Sequence, residues 1–359
     1  MAYTTINDPS EYFNTLLYTG TGKAGTLIKG NNFEADWIWT KERTGTSGNQ
    51  NHTITDTSRG LDKQLFANLT SADGTSSDFV ASIESDGFTL NTNANINNIN
   101  STYVAWQWRA NGATTTTNDS SSTGVGNQDS VFQANTTAGF SIVTWAGQNQ
   151  VGTIAHGLGV IPNWIIIKAR GGTEKWGVYH HKNTAAPETD QLILNASDAT
   201  ADTTTLTNDT APTSSVFTVG DSGIANENDK TYVGYLFAEK QGYSKFGSYK
   251  GNGDAADGPF NYTGFRPAWV MIKETGASGS WHMFDNKRKT FNVSDSILYA
   301  DLSNAEATGQ TGNPIDILSN GFKCRGGGND TNLDDGTYVY MAFAESPFVT
   351  SNGTPNNAR

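Results

Sequence analysis

The sequence is poor in the residues that carry most protein chemistry. It has one cysteine, Cys324, so neither an intrachain disulfide nor a paired-cysteine metal site can form. Its five histidines, His52, His156, His180, His181 and His282, never stand in a His-Glu-x-x-His pattern or with a carboxylate cluster at ligand spacing; His52 lies four before Asp56 and His282 three before Asp285, but these are single pairs, so no metal is expected. Charged residues make up only 16%, and the net charge is −12 with no basic stripe, which argues against phosphate-driven binding to nucleic acid. No apolar run approaches the ~20 residues of a membrane-spanning helix, so no membrane insertion is expected. The opening residues lack the apolar segment of a signal peptide, which points to synthesis in a cytosol. A Gly-x-Ser-x-Gly elbow is absent and no sequence motif assigns Cys324 a partner base, so no catalytic residue, no enzyme activity and no cofactor are expected.

What is abundant is Thr, Asn, Ser and Gly, together with 11% aromatics including nine Trp. The polar residues suit turns and solvated strand faces and form helices poorly. The aromatics exclude a disordered chain. Together they predict an all-β protein of antiparallel sheets, each with one wet face.

Three copies of one pattern run through the chain. Trp37-Ile-Trp-Thr-Lys41, Trp164-Ile-Ile-Ile-Lys168 and Trp269-Val-Met-Ile-Lys273 share a Trp-x-x-x-Lys spacing. Each is preceded by an aromatic-x-Gly element at Tyr18, Trp145 and Tyr249. Each is followed, 66, 68 and 69 residues after its Trp, by a Tyr-Val strand at Tyr103, Tyr232 and Tyr338. Units of roughly 100 residues are too long for solenoid repeats and suit independent β-sandwiches. The expected division is copy one at 1–109, a Thr/Ser/Gly-rich linker at 110–139, copy two at 140–239, copy three at 240–347 and a tail at 348–359. The linker predicts an independent copy one; the short junction after Lys240 predicts close packing of copies two and three.

The candidate ligand-binding residues are Asp56, Arg59, Trp176, Trp281, Asp285 and Arg288. Asp56–Arg59 and Asp285–Arg288 repeat an Asp-x-x-Arg spacing whose planar guanidinium suits a sugar hydroxyl or carboxylate. The same spacing predicts an internal salt bridge that locks a loop, and its recurrence in a repeat favours that scaffold reading. Trp176 and Trp281, twelve residues after their motif Trp, suit either core or a sugar-stacking platform. Asp254, Asp257, Asp330, Asp334 and Asp335 lie in Gly-rich loops where carboxylates are solvated by default and calcium is the alternative. Gly20-Thr-Gly22-Lys-Ala-Gly25 matches a dinucleotide pattern but lacks a following helix, so a turn is expected there.

Several segments resemble a family of structural proteins from bacteriophages of marine bacteria, of the cyanophage and pelagiphage type. They include Ala2-Tyr-Thr-Thr-Ile-Asn7, Asp56-Thr-Ser-Arg59-Gly, Trp106-Gln-Trp108-Arg-Ala-Asn-Gly112, His156-Gly-Leu-Gly159, Trp176-Gly-Val-Tyr-His180 and Gly247-Ser-Tyr-Lys-Gly-Asn-Gly253. The resemblance implies three tandem jelly-roll or lectin-like β-sandwich domains. It implies a virion location, other virion proteins and a host cell-surface glycan as partners, a homo-oligomer, and a tail-fibre, host-attachment or capsid-decoration role. It supplies no catalytic motif. A stand-alone carbohydrate-binding lectin and a glycan depolymerase are the competing expectations.

Overall fold

The aromatic and β-branched runs form strands, and every strand pairing is antiparallel except for one isolated parallel bridge. The structure, a computed structural model, describes residues 3–45 and 48–356. The ends of the expected first and last segments, 1–2 and 357–359, lie outside the described residues.

Each copy builds the same large sheet. Its opening strand pairs with its closing strand, which pairs with the Trp-x-x-x-Lys strand, which continues into a hairpin. In copy one the order is Phe13–Thr19, Thr102–Trp108, Trp37–Glu42, Thr53–Asp56, Lys63–Phe66 and Gly74–Thr75. In copy two it is Phe140–Ala146, Thr231–Phe237, Trp164–Ala169, Gly177–His180, Asp190–Ile193 and Ala201–Asp202. In copy three it is Ser244–Lys250, Thr337–Pro347, Phe265–Glu274, His282–Asp285 and Leu298–Tyr299. The repeated tryptophans hold one register: Trp37 faces Trp108, Trp164 faces Phe237, and Trp269 faces Phe343.

A smaller sheet covers one face of each large sheet, with an apolar layer between. Ile28, Phe88 and Leu90 meet Ile38 and Ala105 in copy one. Ile154, Phe217 and Val219 meet Ile165 and Ile167 in copy two. Ile315, Ile317 and Phe322 meet Val270 and Ile272 in copy three. One tyrosine clamp recurs: Tyr103, Tyr232 and Tyr338 stack on Tyr18, Trp145 and Tyr249. Their hydroxyls donate to the carbonyls of Ala94, Gly223 and Asn329. Gly20, Gly147 and Gly251 pass so close to this turn that a Cβ would fall 2.2, 1.9 and 2.1 Å from a backbone carbonyl oxygen. The Gly20–Gly25 motif is therefore a strand connection.

The other faces of the three large sheets meet in one shared core. Trp37, Trp106, Trp108, Trp164, Trp269, Phe13, Phe140, Phe237 and Phe343 all belong to it. Trp37 stacks on Tyr235 at 4.7 Å and Trp108 lies edge-on to Trp269 at 5.8 Å. Strand alternation explains the arrangement: Trp37, Trp39 and Lys41 turn to this shared face, while Ile38 turns to its own small sheet. The copies thus form a closed ring rather than beads on a string.

The linker reading differs from what is found. Residues 116–118 and 130–135 form strands that extend the large sheet of copy two beyond its opening strand. Gln133, fully buried, reaches Thr57 and Ser58 of copy one. Composition suggested looseness because several of this segment's polar side chains, Gln133, Ser130 and Asn135 among them, find partners distant in sequence, a pattern that hydropathy does not register. Copy one is accordingly no more detached than the others, and Tyr243 of the short junction is buried in the shared core.

Candidate functional site

The six candidate ligand residues all lie inside the protein, at the seams between copies. At the seam of copies one and two, Arg59 donates to Asp56 at 2.5 Å and to Asp73 at 3.0 Å. From copy two, Tyr235 donates its hydroxyl to Asp56 at 2.7 Å and Arg170 reaches Asp73 at 2.9 Å. At the seam of copies three and one, Arg288 donates to Asp285 at 2.5 Å and to Glu306 at 2.9 Å. From copy one, the Trp106 indole donates to Asp285 at 3.1 Å and Arg43 to Glu306 at 2.9 Å. The side chains of Asp56, Arg59, Asp285 and Arg288 are wholly buried. They have no face left for a sugar, and the loop-locking salt bridge is what the geometry builds. The carboxylates beside them push both guanidinium pKa values further up despite burial.

Trp176 and Trp281 are seam residues too. Trp176 donates its indole N–H to the carbonyls of Phe66 and Leu69 in copy one, and Trp281 to that of Ile193 in copy two. Both are 0% exposed, so neither is a stacking platform. His52 holds the corresponding place in copy one: the Ala67, Leu194 and Ala300 amides donate to the carbonyls of His52, Trp176 and Trp281 respectively.

The lysines of the Trp-x-x-x-Lys motif complete each seam. Lys41 donates to Ser303 of copy three, Lys168 to Thr70 of copy one and Lys273 to Ser197 of copy two. All three are buried, and desolvation lowers each pKa to about 8. A buried lysine in a cleft would be a nucleophile candidate; these serve as carbonyl caps between copies. Cys324 is likewise interior, its thiol pushed up to about 12 by burial.

The loop aspartates disperse. Asp254 accepts from the amides of Ala256 and Asp257, Asp257 pairs with Lys323, Asp335 pairs with Lys250, and Asp330 accepts from Asn313. Among the described residues no three His, Cys, Asp or Glu side chains come together as a metal site. No helix there is long and apolar enough to cross a membrane.

Open concavities cluster where the added strands of copy two meet their neighbours. A groove of about 380 Å³ is lined by Thr117, Asp129, Trp145, Gln148 and Arg170 among others. A polar pocket of about 390 Å³ is lined by Tyr12, Arg109, Asn111, Asn135, Thr136 and Thr137. Sequence reasoning followed what recurs between copies, and so took Trp145 as a scaffold element and passed over Arg109, whose place is held by Ala238 and Ala344 in the other copies. At the second pocket that failure to repeat is the signal that would have singled it out.

The sequence model of DUF7483, a domain of unknown function, matches residues 8–347 as a single unit spanning all three copies. No curated protein and no solved structure matches the chain.

Proposed function

The chain belongs to the DUF7483 family, whose model matches residues 8–347, and we propose that it is a non-enzymatic structural protein displayed on the surface of a bacteriophage particle, as a tail fibre or capsid decoration. One observation carries this reading: the charged and aromatic residues that recur between copies are consumed inside each copy or in the seams between copies. What varies between copies is loops and added strands on the outside, where surface proteins place recognition. The resemblance to marine phage structural proteins supplies the particle, and loop contacts with neighbouring virion proteins, a second copy of the chain or host glycan supply the partners. Proteomics and immunogold labelling of purified particles test it. Detection of the chain in stoichiometric amounts is expected, and its absence from particles would refute the proposal.

A stand-alone carbohydrate-binding lectin is the second reading, favoured by the polar concavities beside copy two. Host-glycan binding by protein that never enters particles would select it. Release of reducing ends from host polysaccharide, abolished by one Asp or Glu substitution, would select a depolymerase instead.

A further inference from the structure

The pocket beside Arg109 breaks the pattern of the repeat. The Arg109 amide donates to the carbonyl of Tyr12 at 2.9 Å. The same bond recurs from Ala238 to Gly139 and from Ala344 to Tyr243. The other two copies therefore place a small buried alanine where copy one places an exposed arginine. Arg109 also stands apart electrostatically. Arg43, Arg59, Arg170, Arg266, Arg288 and Arg325 each form an ion pair with a carboxylate. Arg109 is the one arginine among the described residues without such a partner, in a chain with 35 acidic residues.

The walls around it are rigid. Asp36 accepts the backbone amides of Ala110, Gly112 and Ala113 at 2.7 to 3.0 Å. Burial raises the pKa of this carboxyl and the same amides hold it down. Gln133 accepts the amides of Asn111 and Ala113. The opposite wall is closed by Asn135, which accepts from Thr137 and Ala138 and donates to the Ala110 carbonyl. So the backbone on both sides is fixed before any ligand arrives. The half-exposed Tyr12 ring is braced edge-on against Tyr243, and the exposed Thr136 and Thr137 lie opposite.

We infer that this pocket binds a carboxylate-bearing sugar, with Arg109 holding the carboxylate and Tyr12, Thr136 and Thr137 meeting the ring and its hydroxyls. A planar guanidinium fork matches a carboxylate in two parallel hydrogen bonds. An aromatic face with a polar tip suits the C–H surface of a pyranose. The volume is at the small end for ligand sites, room for one or two sugar rings, and a preformed wall lowers the ordering cost of binding. The inference rests on the surface-recognition reading above and gives it a ligand class. A single weak site gains through multivalency when many copies share a particle.

The test titrates the full chain with glucuronate, glucose and inorganic sulfate, following NMR shifts or heat. Glucuronate is expected to bind, with glucose and sulfate each at least about tenfold weaker. Arg109→Ala is expected to weaken glucuronate by about tenfold or more, the loss of a charged hydrogen bond. Arg109→Lys should weaken it too, because an ammonium lacks the fork. Arg109 is exposed, so an unchanged melting temperature checks that the variants fold. Glucose or sulfate binding as tightly as glucuronate overturns the inference, as does glucuronate binding indifferent to Arg109, or no binding at tens of millimolar. Glucuronate binding by a chain absent from particles would refute the virion role and leave the site standing. A particle-borne chain that ignores glucuronate would do the reverse.

Discussion

Two of the three seams bury an Asp–Arg pair beside their motif lysine; the third, neutral apart from its lysine Lys273, does not. The seams joining copy one to copy two and copy three to copy one each bury an Asp–Arg pair, which a second, mostly covered carboxylate links to a partly exposed arginine of the neighbour. The seam joining copy two to copy three has none of these. His180 stands where the others have Asp56 and Asp285, each paired in register with its motif Trp. Asn183 replaces the arginine and Thr200 the second carboxylate, bonded to each other at 2.9 Å. The Thr200 amide donates to the Thr275 carbonyl, just as Asp73 does to Arg170 and Glu306 to Arg43. Even the donor has changed in step: Tyr235 and Trp106 donate to the aspartates, whereas Met341 holds that place in copy three and donates nothing. A buried carboxylate without its donors is costly, so acid, base and donor had to be exchanged together. The neutral seam is the one whose copies are joined by the shortest junction, where high effective concentration already favours docking. The seam of copies three and one, where the ring closes without a covalent link, keeps its ions.

The largest test breaks the ionic seams. Arg59→Met or Arg288→Met removes the cation from a wholly buried aspartate, which keeps only a neutral donor of the neighbouring copy, and each should cost about 3–5 kcal/mol. Urea unfolding of purified chain measures this. A loss under 1 kcal/mol in both would mean that the ion pairs do not distinguish the seams. The next test imports one ion into the neutral seam. His180→Asp should destabilise strongly, and adding Asn183→Arg with Met341→Tyr should recover part of the loss. Residues in one network couple by about 0.5–3 kcal/mol, so strictly additive effects would contradict the concerted-exchange argument. Asn183→Ala should cost only about 1 kcal/mol, the worth of one neutral hydrogen bond; a loss as large as that of Arg59→Met would erase the comparison.

The sequence made the sheets legible and hid the ring. Trp37, Trp164 and Trp269 sit in short apolar, largely β-branched runs, so strand and burial followed from local pattern. The Asp-x-x-Arg spacing was legible as a lock, because aspartate and arginine are three residues apart on one loop. What the lock closes on was not legible. Tyr235 meets Asp56, and Trp106 meets Asp285, each across 179 residues. No periodicity links such positions. Trp176 and Trp281 looked open to sugar for the same reason: their carbonyl partners belong to the neighbouring copy. The 110–139 segment misled because its Asn, Gln and Ser side chains are used as hydrogen-bonding cement, which in composition is indistinguishable from a solvated linker.

The smallest test uses acid. His180 is fully buried, and desolvation, then the neighbouring His181, holds its pKa well below 6.5. Below pH 6.5 the unfolded chain takes up a proton at this position and the folded chain does not. Folding is therefore opposed increasingly as pH falls, and the stability present near neutrality is lost from 6.5 downward. At pH 5.5 this one group is expected to contribute a loss of about 1 kcal/mol. His52 at the ring-closing seam and His156 within copy two are depressed by burial in the same way, so acid sensitivity of the whole chain does not isolate the neutral seam. A variant does. His180→Asn keeps a side-chain acceptor for the Lys182 amide, which His180 Nδ1 now accepts at 3.0 Å, and removes the titration. Comparing melting temperatures of wild type and variant at pH 7.5 and 5.5 gives the contribution by difference. The variant should lose less stability on acidification than wild type. Equal losses would mean that His180 takes up its proton in the folded state, and that this place in the seam admits a charge after all.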